Sequence, residues 1–270
     1  MNPPDGWHHF VPYGGVHALM VVACAILIAA PALLGRKLSK NAELILRRAL
    51  AALALAYWIA YATWWNWHGI DWRQGLPPHL CDLNGLIAPY ALITGQRWAR
   101  ATLYFWTAAL TSQAFIQPAL TAGPASPVFW AFWGAHTIVA ACAVYDIVVR
   151  GFRPGWGDFS RAVTASLVYA VTIVPINGLI DADYGYLGDP SPFVWIPPFV
   201  LALGPWPQRA VILAALVPLG FIVVLLPWLF PLPLVGRGRG GGREVMRDRQ
   251  RTHVASRPPP YPPHQGEGLE

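Results

Sequence analysis

The chain has 270 residues, of which 55% are hydrophobic and only 12% are charged. A soluble globular domain carries about 25% charged residues, so this composition excludes that class and indicates a protein embedded in a lipid bilayer. The formal net charge is +6, but the basic residues are concentrated in short loops and in the C-terminal tail. We therefore expect no nucleic-acid partner.

Apolar segments recur along almost the whole chain, and each is close to the roughly 20 residues that a helix needs to cross a bilayer. Their apolarity is continuous rather than alternating, which predicts α-helices and not a β-barrel. The predicted fold class is all-α, a polytopic membrane protein with seven helices within residues 1–235. In chain order the predicted helices are Val16–Leu34, Leu50–Trp65, His79–Gly95, Ala99–Leu120, Val128–Val149, Ala162–Ile180 and Ala210–Phe230.

Basic residues are distributed unevenly between the two predicted sides of the membrane. Of the 19 lysines and arginines, 17 lie in the first, third and fifth loops and in the tail, and only Arg73 and Arg209 lie on the other side. The positive-inside rule therefore predicts an N-terminus outside and a cytoplasmic C-terminus. Residues 236–270 are rich in Gly and Pro and lack apolar periodicity, so we predict a disordered basic cytoplasmic tail near anionic lipid.

Polar side chains inside the predicted helices gather at one depth, in the outer half of the membrane. An ionisable residue at the centre of a spanning helix costs about 2.5–3.5 kcal/mol on insertion scales, so such residues are interpreted as functional. Four helices contribute to this polar layer, which predicts a cavity open to the outer leaflet. Its members are His79, Cys81, Asp82, Asn84, Gln113, Gln117, His136, Asn177 and Asp181.

Cys81 is the strongest candidate nucleophile in this layer, because it lies at a predicted helix N-terminus, where the helix dipole favours a thiolate. His136 is the candidate base, since a nucleophile beside an imidazole is the general form of an activated nucleophile. The same layer supplies groups that would orient His136 or stabilise an oxyanion: Asn177, Asp82, Gln113, Gln117 and His79. Candidates for contacts to the substrate are Asn84, Asp181 and Tyr184.

Other interpretations of these residues stay open. The polar layer is also typical of hydrogen bonds between membrane helices, which would make the protein a scaffold. A third helix interrupted by Gly85 and Pro89 is typical of transporters, so a transporter or lipid-binding protein using the same cavity is the main alternative. Zinc bound by the His79, Cys81 and Asp82 cluster with His136 is a weaker alternative, because paired-ligand spacing is missing.

Several residues also have a simple structural interpretation. Cys24 and Cys142 lie in apolar runs and are interpreted as inert small hydrophobic residues. Asp183, Tyr184 and Asp189 follow the sixth predicted helix, where solvated side chains are the simplest expectation for a loop. The chain has no Gly-rich phosphate loop in a strand and helix context, and we predict no cofactor.

The opening of the third predicted helix, Leu76-Pro-Pro-His-Leu-Cys81-Asp82, resembles that of the bacterial YwaF-like integral membrane family, which is related to the eukaryotic transmembrane protein 164 acyltransferases. The resemblance extends from about Trp64 to Trp228. It implies an acyltransferase of the bacterial plasma membrane that acts on phospholipids. In such an enzyme Cys81 would take the fatty acyl group as a thioester and His136 would act as base.

Two segments depart from the pattern of that family. Pro78 stands where a Leu is usual. The Asn-Tyr-Met-aromatic-Leu run of the family, with its following Lys-Pro, is replaced by Asp183-Tyr-Gly-Tyr-Leu187 and Asp189-Pro190. If this loop selects the lipid headgroup, the substrate of this chain differs from that of the family.

Overall fold

The computed structural model describes residues 7–70, 73, 79–189 and 196–230. Within these ranges the chain is helical, and strand-like pairing is limited to an isolated antiparallel bridge between His9 and Ala122. The predicted disordered tail lies outside the described residues. The helices are α1 (Gly15–Gly35), α2 (Lys40–Trp65), α3 (Leu80–Thr94), α4 (Arg97–Phe105), α5 (Gln113–Ile116), α6 (Pro127–Val148), α7 (Trp156–Ile180), α8 (Pro198–Leu201) and α9 (Gln208–Leu229).

The prediction of an all-α membrane protein is confirmed at the level of fold class. Five helices in the described ranges, namely α1, α2, α6, α7 and α9, are long and apolar enough to cross a membrane. The third and fourth predicted spans take a different form. Helix α3 has only 15 residues, and the predicted Ala99–Leu120 helix is divided into α4, a π-helical turn at Trp106–Thr111, and α5.

Helix α2 begins ten residues before the predicted Leu50, and helix α7 begins six residues before the predicted Ala162. At α2 the Ser39 side chain accepts a hydrogen bond from the Ala42 N–H at 3.4 Å, as an N-cap does. At α7 the Gly155 N–H donates to the Asp158 carboxylate at 3.0 Å. Hydropathy locates the apolar part of a spanning helix, but capping residues in the polar flank decide where the helix starts.

The π-helical turn of residues 106–111 widens the fourth predicted helix in the middle of the bundle. Its signature is a hydrogen bond from the Ser112 N–H to the Thr107 carbonyl at 2.9 Å, five residues earlier. The turn is held against α3 by Asn84, whose Nδ2 donates to the Thr107 hydroxyl at 3.0 Å and lies 3.5 Å from that of Thr111. Such turns inside α-helices are frequent at functional sites.

Two buried aspartates join helix ends on the predicted cytoplasmic side. The Asp146 carboxylate of α6 accepts hydrogen bonds from Arg100 at 2.8 Å and from Arg150 at 2.9 Å. The Asp158 carboxylate of α7 accepts one from Arg97 Nε at 2.7 Å. The arginines that indicated topology in the sequence therefore also connect α4, α6 and α7.

Candidate functional site

A cavity of about 540 Å³ lies within the helix bundle, a volume typical of small-molecule sites. Most of its lining residues are apolar, and they come from both ends of the sequence, from Ala54 in α2 to Pro218 in α9. Six of the ten candidate residues line it. They are His79, Cys81, Asp82, Gln113, Gln117 and His136.

Cys81 is the second residue of α3, two residues after the N-cap residue His79. Its side chain is exposed although α3 packs inside the bundle, because the cavity extends to it. The backbone N–H of Asp82 donates to the His79 carbonyl at 3.0 Å, and the Cys81 N–H lies near its own sulfur. His79 offers no side-chain cap to the first turn. The positive end of the helix dipole favours negative charge at the sulfur position, whereas burial and the nearby Asp82 carboxylate oppose it.

The imidazole of His136 is fixed in one tautomer by its own helix. Its Nδ1 lies 2.6 Å from the Phe132 carbonyl oxygen, one turn earlier in α6. A carbonyl oxygen only accepts hydrogen bonds, so Nδ1 carries the proton and Nε2 of the neutral ring is the free base. The Phe132 ring also packs against the imidazole, with centroids 4.3 Å apart. The described hydrogen bond that orients the imidazole is therefore to the Phe132 carbonyl, and the orienting roles of Asn177 and Asp82 stay predictions.

Four tyrosines that the sequence did not point to also line the cavity: Tyr57 and Tyr61 of α2, Tyr169 of α7 and Tyr186 in the loop after α7. The last three interact electrostatically with Cys81. Burial raises the pKa of Tyr186, and negative charge on Cys81 and Asp183 raises it further. Tyrosines at the depth of the polar layer could have been counted as cavity residues from the sequence, because their hydroxyl groups are polar like the side chains of His, Cys, Asp, Asn and Gln.

Asn177 and Tyr184 hold the loop after α7 rather than line the cavity. The Asn177 Nδ2 donates to the Tyr184 carbonyl, and the Tyr184 N–H donates to Asn177 Oδ1, both at 3.0 Å. The Tyr184 side chain is fully buried, with its ring 4.9 Å from that of His79. The expectation that Asp183 and Tyr184 are solvated is therefore wrong, whereas Asp189 is exposed as expected.

Asn84 and Asp181 also lie away from the cavity wall. Asn84 is fully buried and bonds to the π-helical turn, and its contact to substrate stays a prediction. Asp181 is the C-cap residue of α7, in the left-handed conformation with φ 56°. Its carboxylate pairs with Arg73 at 3.2 Å on an exposed part of the surface. Asp181 thus has a partner for its carboxylate, whereas Oδ1 of Asn84 is buried without a hydrogen-bond partner among the described residues.

The loop of residues 181–189 is fixed to the first turn of α9 by Arg209. Its Nη2 donates to the Gly188 carbonyl at 2.7 Å, and its Nε donates to the Tyr186 carbonyl at 3.1 Å. Burial raises the pKa of the Asp183 carboxyl, while the Gly188 N–H and the Arg209 guanidinium act in the opposite direction by stabilising the carboxylate. These contacts hold Tyr186 at the cavity.

Metal binding was one alternative for the cluster around Cys81. Within the described ranges, no group of three or more His, Cys, Asp or Glu side chains is arranged to hold a metal ion. The zinc alternative therefore gains no support from the geometry of His79, Cys81, Asp82 and His136.

The fold and the cavity define an all-helical integral membrane protein with a cysteine-containing polar site inside its helix bundle. The TMEM164 family model matches residues 6–225, which is most of the chain, and the chain belongs to this family. Searches among curated proteins and among solved structures give no match. Relatedness to the transmembrane protein 164 proteins is thus confirmed, and the narrower YwaF-like grouping stays a prediction.

Proposed function

We propose that this protein transfers a fatty acyl group between phospholipids within the membrane, through a thioester on Cys81. The observation that carries the proposal is the state of His136, whose Nδ1 is occupied by the Phe132 carbonyl while the ring lines the same cavity as Cys81. An unprotonated Nε2 is the group that a thiol needs as its base. Membership of the TMEM164 family is compatible with this activity.

The reaction has two balanced steps. First, the Cys81 thiol gives its proton to His136 Nε2, and the sulfur attacks the carbonyl carbon of the donor ester. The C–S bond forms, the ester C–O bond breaks, and His136 returns the proton to the leaving oxygen of the lysophospholipid. Then His136 takes the proton of the acceptor hydroxyl, whose oxygen attacks the thioester. The C–S bond breaks, and the sulfur regains the proton from His136.

Stabilisation of the oxyanion in both steps is assigned to side-chain amides of the cavity wall. Those of Gln113 and Gln117 line the same cavity as Cys81. A donor aimed at a developing oxyanion contributes about 2.7–4 kcal/mol in enzymes of acyl transfer. The apolar majority of the wall keeps water from the thioester, which favours transfer over hydrolysis.

The proposed membrane arrangement has seven crossings, with α3 and the interrupted α4 and α5 segment as the third and fourth. The N-terminus lies outside, the cavity opens in the outer leaflet, and the membrane is the bacterial plasma membrane. Support comes from the two basic residues that the positive-inside rule leaves on the outer side. Arg209 pairs with Asp183 and Arg73 pairs with Asp181, so neither adds net positive charge there.

The test is acyl exchange in proteoliposomes that contain a labelled phospholipid and a lysophospholipid with another headgroup. The wild type should form the new diacyl lipid, and intact mass should reveal an acyl adduct that hydroxylamine removes. Cys81→Ser should lose nearly all turnover, since a hydroxyl is far less acidic than a thiol. Cys24→Ser is the matched control, because Cys24 is buried against Thr137 and does not line the cavity.

Two outcomes would contradict the proposal. Equal exchange by the wild type and Cys81→Ser would show that Cys81 is not the nucleophile. Absence of exchange with every lipid pair tried, together with a solute flux that requires the cavity, would favour the transporter alternative.

A further inference from the structure

The loop of residues 181–189 folds back along α7 instead of leaving the bundle. Asn177, in the last turn of α7, bonds to both backbone groups of Tyr184. Tyr169 lies eleven residues before Ile180, the last residue of α7, and its hydroxyl group contacts the loop at Gly185, where an added Cβ would lie 2.5 Å from it. The loop therefore carries irregular backbone from the end of α7 back into the bundle.

This folded-back loop forms the cavity wall close to the start of α3. The Tyr184 ring packs against that of His79, with centroids 4.9 Å apart, and His79 is the N-cap residue two positions before Cys81. The next three residues of the loop, 185–187, all line the cavity. Irregular backbone at membrane depth is tolerated where it lines a cavity or is buried in protein. The loop and the start of α3 thus enclose one part of the site.

The course of the loop indicates which part of a lipid lies against it. Helix α7 is long and apolar enough to cross the membrane, and Asp181 and Asp189, at the two ends of the loop, are exposed. Exposed charged residues after a spanning helix lie at the level of the lipid headgroups. The loop thus runs from that level to the start of α3, where Cys81 faces the cavity. A phospholipid with its ester at Cys81 has its glycerol and headgroup along this path.

Gly185 allows the loop backbone to contact Tyr169 directly. Its φ of 66° lies in the left-handed region that favours glycine, and an added Cβ would also lie 2.9 Å from Cε1 of Tyr169. On another side the Tyr169 ring packs against the buried Trp106, with centroids 6.2 Å apart. Tyr169 lines the cavity. A side chain at residue 185 would therefore push the phenol group of Tyr169 into the cavity.

We infer that Gly185 and Tyr169 together limit the size of the lipid headgroup that the cavity accepts. This limit rests on the proposed acyl transfer and adds the specificity of that reaction for the polar part of its substrate. Without a side chain at residue 185, the Tyr169 phenol stays against the loop and leaves the path of the headgroup open. No lysine or arginine is among the described residues of the cavity wall, so the shape of the wall distinguishes headgroups of equal charge there.

The test compares two acceptors of equal charge and different size, lysophosphatidylglycerol and lysophosphatidylmethanol, in the proteoliposome assay. Gly185→Ala should reduce kcat/KM for the larger acceptor relative to the smaller by about tenfold, with the preference for acyl-chain length unchanged. Gly185→Ala combined with Tyr169→Leu should restore the ratio, because leucine leaves room for the added methyl group.

Gly151→Ala is the matched control for backbone strain. Gly151 has a φ of 68°, close to that of Gly185, but its added Cβ would meet nothing within 4 Å, and it lies outside the described cavity wall. Its acceptor ratio should equal that of the wild type. An unchanged ratio in Gly185→Ala, or the same change in Gly151→Ala, would overturn the assignment.

A labelling experiment covers the case in which Gly185→Ala fails to fold. In Cys81→Ser, a lysophospholipid with a photoreactive headgroup should label the peptide that contains residues 184–187, and one with a photoreactive group at the end of its chain should not. Labelling of this peptide by the chain probe alone, or by neither probe, would overturn the assignment. Labelling by the headgroup probe without any exchange by the wild type would support the headgroup site and contradict the proposed acyl transfer.

Discussion

Arg209 and Asp183 form a buried ion pair in which the Arg209 Nη2 lies 3.3 Å from both carboxylate oxygens of Asp183. Their side chains are 1% and 0% exposed. The pair joins the first turn of α9 to the loop after α7, and the same guanidinium donates to the carbonyls of Tyr186 and Gly188. Tyr186 lines the cavity. The ion pair therefore holds in place the loop that supplies this residue to the cavity wall.

Removal of the Arg209 charge should destabilise the protein strongly. Arg209→Met leaves the Asp183 carboxylate buried with the Gly188 N–H as its remaining donor among the described contacts. Breaking a buried pair on one side costs about 3–5 kcal/mol. We expect a large fall in melting temperature in detergent, and Asp183→Asn combined with Arg209→Met should recover part of it because the uncompensated charge is gone.

Arg73→Gln provides the control, because Arg73 pairs with Asp181 where both side chains are about half exposed. An exposed pair contributes about 0–1 kcal/mol, so this variant should melt close to the wild type. Equal destabilisation by Arg73→Gln and Arg209→Met would show that burial of the ion pair does not determine how much stability is lost when the arginine is replaced.

The sequence was sufficient for the fold class and for much of the cavity. Continuous apolar runs predict spanning helices because each helix satisfies its own backbone hydrogen bonds in lipid. A shared depth correctly grouped Cys81, Gln113 and His136, since side chains at one level of a bundle converge on the same space. Helical spacing is enough to assign depth, but depth alone placed only six of the ten candidate residues at the cavity.

The direction in which a side chain points around its helix axis could not be predicted from the sequence. Asn177 shares the depth of His136, yet its side-chain amide faces the loop. Both polar atoms of this amide bond to the backbone of Tyr184. Asn84 lies one turn below Cys81 but faces the π-helical turn. That turn itself depends on tertiary packing, because local propensities do not distinguish it from the continuous helix that was predicted. Partners such as these are decided by packing between distant segments.

Substitution of Gly85 should disturb the start of α3. A Cβ at this position would lie 2.9 Å from Cδ1 of Trp58, whose Nε1 donates to the Asp82 carbonyl at 3.0 Å. Gly85→Ala therefore displaces Trp58 or α3, at a cost of about 1–3 kcal/mol for overpacking. We expect lower thermal stability and reduced acyl exchange, because Cys81 lies in the same helical turn as Asp82.

Gly178→Ala is the matched helical control, since nothing lies within 4 Å of its added Cβ. Alanine has a higher helix propensity than glycine by about 0.8–1 kcal/mol, so this variant should be neutral or more stable. A stable and fully active Gly85→Ala variant would mean that Trp58 moves without affecting α3.

The distribution of basic residues predicts which loops are accessible from outside the cell. In a Cys81→Ser background, a cysteine at Ala125 should react with an impermeant thiol reagent added to intact cells, and one at Gly157 should react only after permeabilisation. Both positions are exposed. At Gly157 the added side chain meets only the flexible end of Arg161, at 3.2 Å. Labelling with the opposite sidedness would place the cavity in the inner leaflet.

Cys81 and His136 should behave as one catalytic unit. Removing either member of a nucleophile and base pair abolishes the same step, so Cys81→Ala and His136→Ala should each reduce acyl exchange to background, and the double variant should be no worse than either single variant. Thermal stability should change little. The Cys81 side chain faces the cavity, and the one described hydrogen bond of the imidazole is to a carbonyl of its own helix.

Exchange is measured in proteoliposomes and unfolding in detergent. The control variant is Cys142→Ala, which changes a buried cysteine outside the cavity wall. Losses of exchange that add between the two sites, accompanied by large falls in melting temperature, would identify both residues as packing elements and leave the cavity without its proposed nucleophile.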